Sequence, residues 1–380
     1  MQSASLRNRH YFENLDGLRF VCFLLVFFFH SFHTEIDSIR ESSVYRFVKF
    51  DIFGNGNLGV NFFFVLSGFL ISFLLLEEKS NNPRIDVVNF WKRRILRIWP
   101  LFYFCVIFGF FLFPILKNVM GAKSDETANL LPYLLFLNNF DFIANGLPDA
   151  SILGVLWSIA IEEQFYFFWP LMFFVLDSKY YLVSFMSIIL ISMVFVALND
   201  SPTVREYHTL SCMGDLAVGA IGALIARSSA AIIRIDSLSR LSLWVLYGLV
   251  LILIFFRDEI FSSGFVPHAI ERPIIAFIFL GVILEQCYCS NSLFKMSSFP
   301  IVSRLGRITY GLYCLHFLAI LITTNATAFL GLNQSLLEVL VLETSVALMI
   351  SIILATISFR YFESPFLRLK EKYAYRHVNI

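Results

Sequence analysis

Long runs of apolar residues, separated by short polar segments, dominate the chain. A helix that crosses a bilayer needs ~20 mostly apolar residues, because its backbone N–H groups must be satisfied within the segment. Ten runs meet this requirement, at 17–34, 58–76, 98–116, 157–176, 181–198, 210–226, 241–256, 269–287, 308–325 and 336–358. The pattern therefore predicts an all-α fold, a polytopic membrane helix bundle with about ten transmembrane helices.

The stretch 131–147 begins as an apolar run but contains Asn138, Asn139 and Asp141. These interruptions predict a re-entrant or surface helix. The basic residues support this choice, because Lys and Arg concentrate in cytoplasmic loops. With a cytoplasmic N-terminus, 21 of the 29 basic residues fall on the cytoplasmic side, and ten spans put both termini there. A span at 131–147 would instead expel the basic C-terminal tail.

Composition narrows the functional classes. Of 380 residues, 58% are hydrophobic and 15% are charged, whereas soluble domains are about 25% charged. The 29 basic and 28 acidic residues nearly balance, so the chain gives no sign of nucleic-acid binding. The six Cys include no CxxC pair, and we expect neither a metal site nor a disulfide framework. We expect a single membrane-embedded domain over 1–380, with its core at about 15–367.

The first predicted span carries two ionisable residues, which are costly in lipid and usually face the bundle interior. Arg19 and His30 are eleven residues apart. They therefore share one helix face and are separated by ~16 Å along the axis. This places a cation at the cytoplasmic end and an imidazole in the outer half. The structural alternative is that Arg19 extends to the interface and His30 is satisfied by a hydrogen bond in the bundle.

A basic cluster, FWKRRILRIWP, precedes the third predicted span. Arg94 and Arg97 are neighbours on a helix, and Lys92 and Arg93 accompany them at the predicted cytoplasmic surface. Arginine side chains suit phosphate groups, so a phosphate-bearing ligand is one interpretation. A cytoplasmic anchor for the helix is the other.

The sequence WSIAIEEQFYFFWP opens the fourth predicted span. Ser158, Glu162 and Tyr166 follow one another at intervals of four residues, which gives one stripe on a helix. We expect Glu162 at about the depth of His30, where a carboxylate would orient the imidazole and raise its basicity. Glu163 lies on a different face of the helix and is expected to point to water.

Three further segments combine small and polar residues. Ser67 and Gly68, in GVNFFFVLSGFLI, permit close approach of helices. Packing is the favoured role for that segment. Tyr313 and His316, in TYGLYCLH, adjoin each other in mid-membrane, either as site residues or as structural hydrogen-bonding groups. The run MGDLAVGAIGALIA, with Asp215 near its outer end, is typical of a packing face.

In their order and spacing these segments resemble the acyltransferase 3 family of integral-membrane O-acyltransferases, which modify bacterial surface polysaccharides and related hydroxyl compounds. The resemblance covers about 15–367 and rests on the Arg-x10-His pattern, GVNFFFVLSGFLI, the Arg-x-x-Arg pair, LWSIAIEEQFYFFWP, TYGLYCLH and YFESPF. One departure is Asn61, where the family often has Asp. Some members carry an SGNH-type esterase-like C-terminal domain, and this chain is expected to be the stand-alone form.

The resemblance implies a multi-pass protein of the bacterial cytoplasmic membrane. It would move an acyl group, most often acetyl from acetyl-CoA, from a cytoplasmic acyl-CoA to a hydroxyl of an extracytoplasmic polysaccharide or lipid-linked glycan. The expected catalytic residues are His30 as general base, Glu162 as its orienting partner, and Arg19. The residues expected to bind acyl-CoA are Arg93, Arg94, Arg97, Ser67 and Gly68, and those expected to bind the acceptor are Ser158, Tyr166, Tyr313 and His316.

A transporter or flippase of a lipid-linked glycan is the alternative function, since it too would need polar groups near the membrane midplane. Transporters often show repeated halves and broken helices, and the sequence shows neither feature. A scaffold subunit in which the buried charges merely pair is a third possibility.

Overall fold

The computed structural model of the chain describes residues 12–82, 84–119, 121, 123–261 and 265–373. Within these ranges the chain is helical and contains no strand. Ten long helices form the body of the described structure: α1 Glu13–Phe29, α2 Leu58–Asn81, α3 Val87–Val119, α4 Leu156–Val175, α5 Tyr181–Ala197, α6 Thr209–Ile225, α7 Arg240–Phe261, α8 Phe265–Tyr288, α9 Thr309–Leu330 and α10 Glu338–Glu371. The protein is thus a polytopic helical bundle.

Shorter helical pieces connect the long helices. They are Asp37–Arg40, Ser43–Arg46, Phe47–Ile52, Leu130–Leu134, Asn138–Asn145, Ser151–Gly154, Ser178–Tyr180, Pro202–Tyr207, Ser229–Asp236, Met296–Ser298 and Pro300–Gly306. Helix α3 passes through a π-helical turn at Phe108–Leu112, and α10 contains two such turns, at Glu338–Glu343 and Ser358–Glu363.

Seven of the ten predicted spans correspond to helices that are long and apolar enough to cross a membrane. The other three predictions, 17–34, 157–176 and 269–287, fall on α1, α4 and α8. Helix α1 has only 17 residues, and α4 carries two glutamates near its middle. The total of ten spans and the side on which the termini lie therefore remain predictions.

The two ends of the bundle differ in chemistry. Helix α1 begins beside the connection between α8 and α9, where the Asn14 side chain donates to the carbonyl of Gln286 at 2.9 Å. We call this end of the bundle the basic face, because it carries the arginine-rich start of α3. We call the other end, where α1 stops, the opposite face. Arg7, Arg9 and Arg376, which the charge count assigns to the cytoplasmic side, lie outside the described residues.

Small residues bring α2 and α6 into close contact. A Cβ atom at Gly68 would clash with the carbonyl oxygen of Leu216, and one at Gly219 would clash with that of Val65. The close approach is possible only because both positions lack a side chain. The packing face predicted in MGDLAVGAIGALIA is therefore confirmed.

The stretch 131–147 forms two short helices instead of one. Its turn enters between α3 and α4, where Tyr103 donates to the carbonyl of Leu134 at 2.9 Å. At the tip, the Phe136 ring lies 4.3 Å from the Phe102 ring, centroid to centroid, and its φ is +55°. Neither of its helices is long enough to span a bilayer, and its re-entrant or surface position remains a prediction.

Candidate active site

A cavity of about 260 Å³ lies among α1, α2, α3, α4 and α9. We call it the basic-face cavity, because residues from the starts of α1, α3 and α9 line it at the basic face. Along α2 its lining runs from Leu74 to Val60. Fourteen residues of helix span roughly 21 Å, which is about two-thirds of a ~30 Å hydrocarbon core.

Four arginines line the basic-face cavity: Arg19, Arg94, Arg97 and Arg307. Arg19 pairs with Asp16, and Arg307 Nε lies 3.9 Å from the other oxygen of the same carboxylate. No described residue gives Arg94 or Arg97 a hydrogen bond or an ion pair, and Arg94 Nε is buried without a partner. The cavity therefore contains two guanidinium groups that are available to an anionic ligand.

The predicted stripe on α4 lines the same cavity. Glu162 accepts hydrogen bonds from Ser67 Oγ at 2.8 Å and from the Tyr166 hydroxyl at 3.0 Å. The Tyr166 ring also lies beneath Arg94, whose guanidinium carbon is 5.6 Å from the ring centroid. Ser158 Oγ lies 2.7 Å from the Tyr313 hydroxyl, and both residues line the cavity. Helix geometry alone brings these α4 side chains to one face, as predicted.

The pairing of Glu162 with His30 needs correction. Both oxygens of Glu162 are engaged by Ser67 and Tyr166 at the cavity wall, on the side of the arginines. His30, which caps the C-terminus of α1, instead has His316 of α9 as its partner, with 3.1 Å between His30 Nδ1 and His316 Nε2. The spacing along each helix was sound, but the partner depends on how α1, α4 and α9 pack.

The histidine pair defines which nitrogen of His30 is free. His316 Nδ1 lies 2.7 Å from the Tyr313 carbonyl oxygen, which can only accept, so this nitrogen carries the hydrogen. Neutral His316 then presents an unprotonated Nε2, and His30 Nδ1 must donate to it. The remaining nitrogen of neutral His30, Nε2, is left with its lone pair, as a general base requires.

The histidine pair lies just beyond the part of the basic-face cavity that Ser158 and Tyr313 line. His30 is half-buried under Phe317, with 4.6 Å between ring centroids, and it does not line the cavity. Tyr313 does, and its ring centroid is 6.0 Å from that of His316. The Tyr313 ring and its hydrogen bond to Ser158 therefore separate the cavity from the two imidazoles.

Three other predicted positions also need correction. Arg93 donates to the carbonyl of Tyr373 at 2.9 Å and reaches Glu78, so it ties α3 to the chain beyond α10 and is not part of the cavity lining. Gly68 packs on α6 and does not reach the cavity. Glu163 faces α3, where the Trp99 indole donates to it at 2.8 Å, and not water.

Two site arginines, Arg307 and Arg272, were not predicted from the sequence. Arg307 lies two residues before TYGLYCLH and lines the cavity beside Asp16. Its closeness to that motif was the available signal. Asn61 donates to Asp215 at 3.0 Å, and the same carboxylate oxygen accepts from Arg272 at 2.8 Å. Asn61 therefore supplies a hydrogen bond here in place of a second negative charge.

Within the described ranges, no group of three or more His, Cys, Asp and Glu side chains could hold a metal ion.

Known proteins similar to this chain include O-acetyltransferases. It is 28% identical to a peptidoglycan O-acetyltransferase, OatA, of Listeria monocytogenes, over 96% of this chain and 57% of the relative. It is 27% identical to the O-acetyltransferase OatA of Staphylococcus aureus, over 87% of this chain and 56% of that protein. It is 25% identical to a putative peptidoglycan O-acetyltransferase, YrhL, of Bacillus subtilis, over 94% and 55%.

The chain thus spans a little over half the length of these curated relatives. No solved structure matches it. The acyltransferase domain family, Acyl_transf_3, matches residues 12–360. This match covers nearly all of the helical bundle, including both histidines and the four arginines of the cavity, and it favours an enzyme over a transporter. The chain therefore belongs to the Acyl_transf_3 family of acyltransferase domains.

Proposed function

We propose that the protein is an O-acyltransferase of the bacterial cytoplasmic membrane that moves an acetyl group from cytoplasmic acetyl-CoA to a hydroxyl of a cell-wall glycan outside. The family supports acyl transfer, and the names of the similar proteins support an acetyl group and a peptidoglycan acceptor. The observation that carries the proposal is the basic-face cavity, which leads from unpaired Arg94 and Arg97 toward the pair of histidines.

The arginines would hold the phosphates of the donor. Arg94 and Arg97 have no hydrogen bond or ion pair from the described residues, and charge-assisted hydrogen bonds to phosphate are among the strongest that a protein makes. Arg19 and Arg307 share the single carboxylate of Asp16, so the four arginines outnumber Asp16 and Glu162 and give the cavity a net positive charge near the basic face. A donor anchored there would point its acyl group along the cavity toward Tyr313 and Ser158.

His30 would act as the general base. An alcohol is a weak nucleophile at neutral pH, so His30 Nε2 takes the proton of the acceptor hydroxyl while the oxygen attacks the thioester carbonyl. The new C–O bond forms, the C–S bond breaks, and His30 passes the proton to the departing thiolate. His316, rather than Glu162, would hold the imidazole in the required tautomer.

The separation between the cavity and His30 has a consequence for this scheme. Tyr313 stands between the donor path and the histidine pair. The Tyr313 ring would have to turn away from Ser158 before the acyl carbonyl reaches His30. Tyr313→Phe removes only the hydrogen bond that holds the ring against Ser158. The ring can then turn more easily, so the variant should retain acetyl transfer.

The proposal is tested by acetyl transfer in the purified protein, reconstituted in lipid nanodiscs with acetyl-CoA and soluble peptidoglycan oligosaccharides. Mass spectrometry of the glycan should show acetylation by the wild type and none by His30→Ala. His33→Ala is the matched control, because His33 is exposed near the same helix end and its hydrogen bond goes to the backbone carbonyl of His30 and not to the imidazole. Wild-type acetylation by His30→Ala would overturn the role of His30.

The role of His316 is tested separately, by the pH dependence of kcat. His316→Leu removes the acceptor for His30 Nδ1 and should lower kcat on the order of 100-fold. His316→Gln offers an amide oxygen as a substitute acceptor and should restore part of the rate. Equal losses in the two variants, with an unchanged pH profile, would show that His316 only fills space.

A further inference from the structure

A second cavity, of about 320 Å³, lies at the opposite face of the bundle. We call it the opposite-face pocket. It is formed by the end of α5, the short helix Pro202–Tyr207, the end of α7 and the start of α8. Its lining consists mostly of ionisable side chains, in contrast to the groove between α7 and α8, whose lining is apolar.

Part of the pocket lining is a fixed network of ion pairs. Arg257 Nε donates to Glu271 at 2.6 Å, and Arg272 donates to Asp215 at 2.8 Å. Arg272 Nη2 also lies 3.6 Å from a carboxylate oxygen of Glu206. Asn57 links the two arginines, since it accepts from Arg257 at 3.0 Å and donates to Glu206 at 3.2 Å. These paired groups form a rigid polar floor.

Two other charged residues line the pocket without a side-chain partner among the described residues, namely Arg205 and Asp258. Three arginines and three acidic residues line it in all, so its formal charge is zero apart from His268. A pocket of this kind offers little net attraction to a polyanion and is too polar for a lipid tail. It suits a hydroxyl-rich ligand, because guanidinium and carboxylate groups together can donate to and accept from the same ring hydroxyls.

The polar floor of the pocket is connected through neighbouring residues to the end of α1 that carries His30. Asn57, in the polar floor, follows Gly56, and a Cβ atom at Gly56 would clash with the Leu25 carbonyl oxygen on the last turn of α1. His30 caps that turn. On the other side, the residue after Glu206 is Tyr207, whose ring lies 4.8 Å from that of Trp157. Trp157 precedes Ser158, which lines the basic-face cavity beside Tyr313.

We propose that the opposite-face pocket binds the acceptor glycan, holding a sugar unit of the same chain whose hydroxyl is presented to His30. This inference rests on the proposed function for the identity of the reaction. Arg205 and Asp258 would contact the sugar directly, whereas Arg257, Arg272 and Glu206 would keep the floor in place. The ligand class is a hydroxyl-rich oligosaccharide with, at most, a single carboxylate per unit to meet Arg205.

The experiment uses the full chain in nanodiscs and, as probe, a soluble oligosaccharide of alternating N-acetylglucosamine and N-acetylmuramic acid. Binding of the probe is measured directly, without acetyl-CoA, and its KM and kcat are measured in the transfer assay. The variants are Arg205→Ala and Asp258→Asn. Arg40→Ala is the control, since Arg40 is an exposed arginine that follows α1 on the same face.

Arg205→Ala should weaken probe binding and raise its KM about tenfold, the effect of one lost charged hydrogen bond. Asp258→Asn should have a smaller effect in the same direction, and Arg40→Ala none. CoA binding and kcat at saturating acceptor should not change in any of them. Probe affinity in both variants equal to that of the wild type, or no binding to the wild type at millimolar concentration, would overturn the proposal.

The binding arm separates this proposal from the proposed function. If the wild type binds the probe through Arg205 but transfers no acetyl group to it, the pocket stands as a glycan site and the acetyl transfer fails. If the wild type acetylates the probe and both variants do so with unchanged KM, the reaction stands and the pocket is not the acceptor site.

Discussion

The basic-face cavity and the opposite-face pocket are both rich in arginine, but they differ in how many of their arginines are paired with carboxylates. In the pocket, Arg257 and Arg272 each have a carboxylate within hydrogen-bond distance. In the cavity, Arg94 and Arg97 have none, and Arg94 Nε is buried without any partner. Two arginines in the floor of the pocket are thus fixed by carboxylates, whereas two of the four arginines of the cavity have no ion pair with a described residue.

The difference follows from the cost of burying charge. A cation removed from water loses several kcal/mol of solvation free energy unless an anion or a set of acceptors replaces the water. The pocket network meets this requirement internally, so its paired arginines support the fold. In the cavity, Arg97 is exposed and Arg94 Nε is buried without a partner in the described part of the chain. The buried Nε of Arg94 is therefore better explained by an anionic ligand that completes the site.

The largest expected effect is on folding, from breaking a pair in the pocket. Arg272→Met leaves Asp215 buried without its cation, and the other carboxylate oxygen already lacks a partner. The unfolding free energy should fall by about 3–5 kcal/mol, seen as a lower thermal unfolding midpoint in detergent. The double variant Arg272→Met with Asp215→Leu should recover much of the loss. An unchanged midpoint in the single variant would contradict the structural role of the pair.

The second prediction concerns the unpaired arginines. Arg94→Ala combined with Arg97→Ala should weaken CoA binding on the order of 100-fold, because two charged hydrogen bonds are lost. Without CoA, the thermal midpoint should stay at or above that of the wild type, because no ion pair is broken and Arg94 Nε is no longer buried without a partner. Binding is measured by thermal stabilisation over a range of CoA concentrations.

The matched control for that double variant is Arg84→Ala with Arg234→Ala, because these are two exposed arginines predicted to lie on the same side of the membrane. Loss of CoA stabilisation in both double variants would indicate only a general effect of surface charge. Unchanged stabilisation in the Arg94 and Arg97 variant would exclude them as the phosphate anchor.

A smaller effect is expected from Glu162→Gln. Glu162 holds Ser67 and Tyr166 in place beside Arg94 and does not contact His30. We therefore expect a severalfold rise in the KM for acetyl-CoA with a pH profile of kcat like that of the wild type. A loss of kcat with a shifted pH profile would instead favour the pairing of Glu162 with His30.

The smallest effect belongs to an ion pair that water partly screens. Asp149 accepts from Lys117 at 2.7 Å, which ties the end of α3 to the segment before α4. Burial tends to raise the pKa of Asp149, but hydrogen bonds from Lys117 and Ser124 outweigh it and keep the pKa below its usual value. The pair therefore stabilises the fold above the pKa of a free Asp, and this contribution is lost as pH falls through the lower folded pKa.

Asp149→Asn removes that dependence, so the thermal midpoints of the wild type and the variant should converge as pH is lowered from neutral toward about 3. A constant difference between them over this range would show that the Lys117 pair adds no pH-dependent stability.

Much of the site was predictable where it depends on one helix. Four-residue spacing placed Ser158, Glu162 and Tyr166 on a common face, and all three line the cavity. The Arg-x-x-Arg spacing likewise put Arg94 and Arg97 together. Such predictions need only the 3.6-residue period of an α-helix, which is a local property of the chain.

Relations between helices could not be predicted in the same way. His30 and His316 are 286 residues apart, and nothing local indicates that their rings are within hydrogen-bond distance. The same holds for Arg272 and Asp215, which are 57 residues apart in the sequence. Which face of a helix meets a neighbour depends on rotations and crossing angles that many packing contacts decide jointly.

The sequence by itself determined that the chain is an all-α membrane bundle, because apolar runs of this length leave no other way to satisfy the backbone in lipid. It also determined which side chains share a helix face. Only the tertiary structure decided that His316 is the partner of His30, that Glu162 belongs to the arginine-lined wall, and that charges at the opposite face form a pocket. These are contacts between distant segments, and their energies exist only once the helices have packed.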